Sequence, residues 1–399
     1  MNSFSIARLP RIEFGSGRIA VLPELAATFG SRALLISGAA SLQNSGTWEG
    51  IQQGLDKAQL DWSGETIDHE PSPQLVDRIV ASNAEHDFDV IIGIGGGSVL
   101  DAAKAIAGLL RVQNSVMDYL EGVGPEKPYK GPAVPFIAVP TTAGTGSEAT
   151  KNAVLSVAGK NGFKKSFRDE QLVPEYALVD PDLLASCPPN LIAANGMDAL
   201  TQLLESYVST RSGALTDALA WSGLSAVRDS LLPWYENHGD LPAARSGMAY
   251  AALMSGISLA QTGLGSVHGL ASPLGAFFPI PHGVVCGTLL AAATRVNINA
   301  MLQRTPDNPA LGKYALAAEL LCQRSFSSRE QAWEALVELF DDWTAIMQLP
   351  ELDRYGVRQQ DFENIVTHSR GSSKKTNPVT LTDEEITMIL KQRCSVTAA

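Results

Sequence analysis

The sequence predicts two domains: an α/β half with a parallel sheet over residues 1–184, then an all-helical half over 185–399. Three observations predict this. Short apolar runs alternate with helical patterns in the first half. The β signal fades after Asp180-Pro181. Long stretches with helical spacing, separated by turn-rich segments, fill the remainder. Alternating β and α elements require a parallel sheet covered on both faces. Helices without strands must bury their apolar stripes against one another.

In chain order, Phe4 to Phe14 reads as one strand or a hairpin arm. Ala33 to Ser37 (ALLIS), Val90 to Ile94 (VIIGI) and Phe136 to Val139 (FIAV) are compact apolar runs ending in glycine or proline, the mark of buried parallel strands. Pro73 to Glu85 and Asp101 to Leu110 read as helices between them. In the second half the helical patterns are Leu191 to Val208, Leu215 to Tyr235, Ala243 to Thr262, Val284 to Leu302 and Arg329 to Met347. Ser209 to Gly213 and Asn237 to Asp240 are turn-rich separators. The tail, Leu381 to Lys391, opens on Thr382-Asp383-Glu384-Glu385, a capping residue followed by an acidic first turn. No internal repeat is visible; the alternative to a single boundary is a pair of more intertwined halves.

Composition narrows the function. A formal charge of −12 argues against nucleic acid or an anionic membrane as partner, so any site for a phosphate must be local. The four cysteines, Cys187, Cys286, Cys322 and Cys394, form no CxxC pair. Neither a disulfide scaffold nor a thiolate zinc site is expected, and a reducing cytosol fits best. Cys286 reads as a buried residue and not as a ligand. The N-terminus lacks a basic start followed by an apolar run, so no signal peptide is expected. No uncharged apolar stretch of about 18 residues appears, so no membrane span is expected. The location expected is cytoplasmic.

The chemistry-bearing segment of the first half is Gly95-Gly96-Gly97-Ser98, between the strand Val90 to Ile94 and a helix. A glycine turn from strand to helix presents free backbone N–H groups to a phosphate. It is neither a full GxGxxG fingerprint nor a P-loop. As it stands it is equally a plain turn. A second loop, Pro140 to Glu148 (PTTAGTGSE), follows another buried strand and is dense in hydroxyls. Both loops should leave the same edge of the sheet, where ligands bind in such folds.

The loops GGGSVLDAAK (95–104) and PTTAGTGSEAT (140–150) resemble the two hallmark loops of the iron-containing (group III) alcohol dehydrogenases. The resemblance runs on through Lys165 to Arg168, VDP (179–181), NGMDAL (195–200) and GLGSVHGLASPLGAFFPIPHG (263–283), nearly the whole chain in order. It implies the dehydroquinate synthase-like superfamily fold, with an α/β dinucleotide-binding N-terminal domain and an all-α metal-binding C-terminal domain. It also implies a metal-dependent, NAD(P)-linked alcohol dehydrogenase or aldehyde reductase acting on a small primary alcohol or aldehyde, in a homodimer or larger assembly. By resemblance Gly95, Gly96, Gly97 and Ser98 hold the pyrophosphate, with Asp101 on the helix that follows. Thr141, Thr142 and Thr145 border the ribose region, and Lys165 lies near the cofactor ribose. Where NAD-preferring members carry an aspartate after the first α/β strand, this chain has Gly38. A carboxylate there repels a 2′-phosphate and glycine does not, which leans the expectation to NADP over NAD.

The family's metal ligands are an aspartate, a histidine four residues later and two further histidines. Here they fall on Asp198, Gln202, His268 and His282. Asp198 and Gln202, four apart, share one helix face. A divalent ion, Fe(II) or Zn(II), lowers the pKa of a bound O–H and so activates an alcohol. Two departures matter. Gln202 offers a neutral amide oxygen in place of an imidazole. Ser272 stands where many members have a second histidine for proton relay, so no general base is assigned. Metal-free reductases of the maleylacetate reductase type, a dehydroquinate-synthase-like lyase and a nucleotide-binding member without catalysis are the alternatives. The second loop and Asp198 weigh against the first two. His69, His86, His238 and His368 read as surface groups, Phe277-Phe278 as pocket lining or core, and Ser372 to Thr376 as a solvated turn.

Overall fold

The computed structural model describes residues 4–39, 46–159 and 162–394. Two compact units emerge. One takes 7–157 and 164–188; the other takes 189–399 with the described residues of 1–6 and 158–163. The division falls at Pro188, close to the expected 184, and two short pieces of the first half belong with the helical unit.

The first unit contains β1 (Arg11–Phe14), α1 (Leu22–Ala27), β2 (Arg32–Gly38), α2 (Gly46–Lys57), β3 (Asp61–Ile67), α3 (Pro73–Ser82), β4 (Val90–Gly95), α4 (Gly97–Leu109), β5 (Phe136–Pro140), β6 (Asn152–Val157), β7 (Phe163–Arg168) and β8 (Tyr176–Val179). Six strands form a parallel sheet in the order β1-β8-β5-β4-β2-β3, and β6 and β7 form a separate two-stranded sheet. The central strands β2, β4 and β5 are buried apolar runs, as covering on both faces requires. β3 escaped the pattern search because it is an edge strand with mostly polar, exposed residues. The expected Phe4 to Phe14 strand shrinks to β1, which pairs parallel with β8 and is no hairpin arm; Pro10, just before it, has no N–H to give a ladder. The helix expected from Asp101 begins four residues earlier, at Gly97, with Gly96 in extended conformation as its N-cap.

The second unit is helical throughout its described residues from 189: α5 (Pro189–Val208), α6 (Ala214–Tyr235), α7 (Leu241–Thr262), α8 (Ser266–Phe277), α9 (His282–Arg304), α10 (Pro309–Cys322), α11 (Arg329–Ile346), α12 (Phe362–His368) and α13 (Asp383–Gln392), with short 3₁₀ turns. The segment 263–283 is helical on both sides of Phe278 to Pro281, and Pro273 sits inside α8. α9 passes a length and composition test for crossing a membrane, but it carries Arg295 and is a core helix with most of its residues buried. His69, His86, His238 and His368 are exposed. Of the 372–376 segment, the side chains of Ser372 and Lys374 lie outside the described residues.

Candidate metal centre and nucleotide loops

The helical unit brings four donors together. Asp198 lies on α5, His268 in the first turn of α8, and His282 with Cys286 on the first turns of α9. One donor atom from each lies within 4.8 Å of all the others. The Asp198 carboxylate oxygen Oδ1 is 3.3 Å from Nε2 of His268 and 3.8 Å from Nε2 of His282. Cys286 Sγ is 3.6 Å and 3.8 Å from the same two nitrogens.

Packing explains why such distant residues converge. α9 crosses α5 closely at Gly283, where a Cβ would sit 2.4 Å from the carbonyl oxygen of Ala194. Only glycine permits that approach, and the approach carries its neighbour His282, and Cys286 one turn on, to Asp198. α8 is anchored by Glu205, two turns beyond Asp198 on α5. Its carboxylate accepts from the backbone N–H groups of Gly265 at 2.9 Å and Val267 at 2.8 Å, while Asn377 Oδ1 accepts from Ser266 N–H at 3.0 Å. A carboxylate at a helix N-terminus satisfies its unpaired donors and its dipole together. Glu205 also takes Nδ1 of His268 at 2.7 Å. That bond holds Nδ1 and turns Nε2 toward Asp198 and Cys286, the arrangement by which carboxylates orient metal-binding histidines.

The charges of the cluster are buried and set by one another. Burial raises the energy of the Asp198 carboxylate, yet the His282 and His268 rings beside it outweigh this and hold its pKa down to about 2. Burial likewise opposes charge on His268, but the Cys286 sulfur, Asp198 and Glu205 hold it well above the ordinary imidazole range. Burial pushes the Cys286 thiol up to about 12. Asp198 Oδ2 is buried and accepts no hydrogen bond, a costly state for a carboxylate oxygen. An anionic carboxylate with a lone oxygen, two imidazoles and a sulfur suits a divalent ion. The His282 side chain is 28% exposed while Asp198 is 1% exposed, so the cluster opens on the His282 side.

Gln202, expected as the fourth ligand, is buried on the same helix as Asp198, and its Oε1 accepts from Ser255 Oγ at 2.7 Å. Cys286, expected only as core, is buried but belongs to the donor cluster. Its spacing of four from His282 was the available signal. Glu205 was missed, although Asp198, Gln202 and Glu205 at i, i+4 and i+7 mark one helix face. Ser272 is half-buried one turn past His268.

In the α/β unit, β4 and β5 are neighbours with Gly95 opposite Pro140, so both loops leave one sheet edge side by side. A Cβ on Gly97 would meet Thr145 Cγ2 at 2.7 Å, and one on Gly96 would meet the Thr142 side chain at 3.3 Å. The glycine turn is thus closed down on the second loop's threonines. No side chain caps the N-terminus of α4, which leaves its first N–H groups to a ligand. Gly38 ends β2, the strand next to β4, at the point where strand order reverses. A Cβ there meets only Val99, at 3.7 Å, so space does not demand glycine. Thr141 is buried, with its carbonyl accepting from the Cys187 thiol. Lys165, on β7, has its Nζ against Gly122.

Asp101 faces inward. It accepts from Ser147 Oγ at 2.5 Å and lies 3.6 Å from Lys104 Nζ. Lys104 is fully buried and donates to the carbonyls of Ser147 at 2.7 Å, Thr150 at 3.3 Å and Asn152 at 2.6 Å, and to Thr150 Oγ1 at 3.1 Å. Glu148, beside it, is pushed up to about 7 by burial. This cluster ties α4 to the second loop. Its signal was Asp101 and Lys104, three apart in an otherwise largely apolar helix.

Residues 10–181 match the model of the iron-containing alcohol dehydrogenases, and residues 192–394 match that of the Fe-containing alcohol dehydrogenase family's C-terminal domain. The NADPH-dependent butanol dehydrogenase of Clostridium saccharobutylicum is 30% identical, covering 90% of this chain and 88% of that one. The NAD-dependent methanol dehydrogenase of Bacillus methanolicus is 29% identical, covering 96% and 97%. The crystal structure of a 1,3-propanediol oxidoreductase superposes with a TM-score of 0.87 at 28% identity, covering 98% of this chain and all of that one. Matched in both units and along nearly its whole length, this chain belongs to the iron-containing alcohol dehydrogenase family.

Proposed function

We propose that the protein moves hydride between NADP(H) or NAD(H) and a small primary alcohol or aldehyde, with a divalent cation, iron(II) or zinc(II), at the cluster of the helical unit. The observation that carries this is the meeting of donor atoms of Asp198, His268 and His282 within 4.8 Å, on a carboxylate whose Oδ1 faces both imidazoles and whose Oδ2 is buried without a hydrogen-bond partner. Those three residues hold the ion, and Glu205 holds the His268 ring that faces it. When bound, the ion acts as a Lewis acid on the hydroxyl or carbonyl oxygen.

The remaining assignments follow from the chain's own groups. The turn Gly95 to Ser98 and the uncapped N-terminus of α4 receive the pyrophosphate. Asp101 and Lys104 fix the second loop, which presents Thr141, Thr142 and Thr145 to the ribose region, and Lys165 serves the same region. Gly38 leaves room and no charge against a 2′-phosphate, which favours NADP(H). Ser272 can pass a proton through its hydroxyl but cannot hold one near neutrality. A homodimer or larger homo-oligomer is part of this reading, as is a cytoplasmic location, which the four free cysteines support.

The test is oxidation of NADPH and NADH with a panel of small aldehydes, on metal-free protein reloaded with iron, zinc or manganese. Turnover that consumes the reduced nucleotide and depends on metal is expected. A folded, metal-loaded protein silent across the panel, or one that is equally active without metal, contradicts the reading. Turnover without net consumption of nucleotide points to the lyase chemistry of the wider superfamily.

A further inference from the structure

The spacing of the cluster speaks to which side chains close the coordination sphere. This step rests on the reading that the cluster holds a divalent cation. In a tetrahedral zinc site, Zn–N of about 2.0–2.1 Å and Zn–S of about 2.3 Å set donor–donor edges of about 3.4 Å between nitrogens or oxygens and about 3.6 Å from sulfur to nitrogen. An octahedron at 2.0–2.1 Å has adjacent donors only about 3.0 Å apart. The observed edges are 3.3 and 3.8 Å for Asp198 to the two imidazoles, and 3.6 and 3.8 Å for Cys286 to the same two. The Asp198 edges are longer than good N–H···O hydrogen bonds, and the 3.3 Å edge from Asp198 and the 3.6 Å edge from Cys286 to His268 match tetrahedral edges. Gln202, by contrast, has its amide oxygen engaged by Ser255 at 2.7 Å.

We infer that Cys286 is the fourth protein ligand of the metal, bound as thiolate, in the role the sequence offered to Gln202. His282 and Cys286 are four apart on α9, so one helix face supplies two donors. A sulfur donor beside two imidazoles and a carboxylate selects a borderline-soft ion, zinc or ferrous iron, over magnesium or manganese. The metal displaces the thiol proton, which leaves to solvent on the His282 side. A substrate oxygen would then be a fifth donor, a number that zinc sites can accommodate.

The test uses the full chain, stripped of metal by chelation and titrated with cobalt(II) while its absorption spectrum is recorded. Wild type should take up about one equivalent and show the intense near-ultraviolet charge-transfer band that a thiolate gives cobalt and that nitrogen and oxygen donors do not. Cys286→Ser should lose the band and bind cobalt roughly 10–100-fold more weakly, taking the range for tuned sites as a guide. Gln202→Ala should keep both band and affinity. Cobalt bound by wild type without the band overturns the assignment, as does loss of binding in Gln202→Ala with an unchanged Cys286→Ser. Failure of folded wild type to bind cobalt at all refutes the metal reading itself, and this inference with it.

Discussion

Two buried polar clusters, one in each unit, are made of similar side chains and end in opposite conditions. Around Lys104 in the α/β unit, the ammonium donates to four oxygens and Asp101 accepts from Ser147. That cluster is satisfied by the protein itself. Around Asp198 in the helical unit, the carboxylate oxygen Oδ2 is buried with no hydrogen bond, while Oδ1 lies 3.3 and 3.8 Å from the two imidazoles and the Cys286 sulfur 3.6 and 3.8 Å from them. The difference separates scaffold from site. A structural cluster closes on itself, whereas a ligand-binding one is held open by outer partners, here Glu205 and Asn377, at the expense of its own satisfaction.

The sharpest way to break this comparison is Lys104→Met. It strands at least three acceptors and leaves Asp101 without its cation, a loss of about 3–5 kcal/mol for a broken buried pair. Denaturant unfolding should show that loss, while the metal content of the folded fraction stays at wild-type level. A stability within experimental error of wild type would mean that the cluster is not the lock described.

Next in size is Glu148. Its folded pKa of about 7 lies above the ordinary 4.5 because burial disfavours its charge. The folded state therefore holds a proton that the unfolded state has lost, and the associated stability, full below pH 4.5, is lost as pH rises toward 7 and beyond. At about 1.4 kcal/mol per tenfold change in proton affinity this approaches roughly 3 kcal/mol. Glu148→Gln should flatten the fall of Tm between pH 5 and 8; an unchanged slope contradicts the buried neutral acid.

In the helical unit, Glu205→Gln keeps a hydrogen-bond acceptor but removes the charge that orients His268 and caps α8. Metal affinity should fall roughly 10–100-fold by competition with a chelator, with little change in secondary structure by circular dichroism. The smallest expected effect is Gly38→Asp, which should lower kcat/KM for NADPH relative to NADH by about tenfold, about 1.4 kcal/mol of repulsion and lost space.

Much of this was legible before any coordinates. The central strands announce themselves as short apolar runs, since burial on both faces leaves no polar alternation. Asp198, His268 and His282 stood out by spacing within family motifs. What stayed hidden depends on partners far along the chain. Glu205 acquires its meaning from backbone N–H groups 60 and 62 residues away. Cys286 looked like one more small apolar residue in a core helix until α5 and α9 were seen to cross at Gly283. Lys104 and Glu148 carry no sequence mark of burial, and the contact of α4 with the second loop buries them. β3 and β1 were obscured for the opposite reason, because edge strands lose the apolar pattern that identifies central ones.

The claim on which the chemistry depends is that the open cluster of the helical unit is completed by one cation. Metal analysis of purified wild type and Asp198→Ala, both shown to be folded and both reloaded with iron or zinc before desalting, tests it most directly. About one equivalent in wild type and none in Asp198→Ala is predicted. Equal metal in both proteins, or none in wild type, would contradict the account.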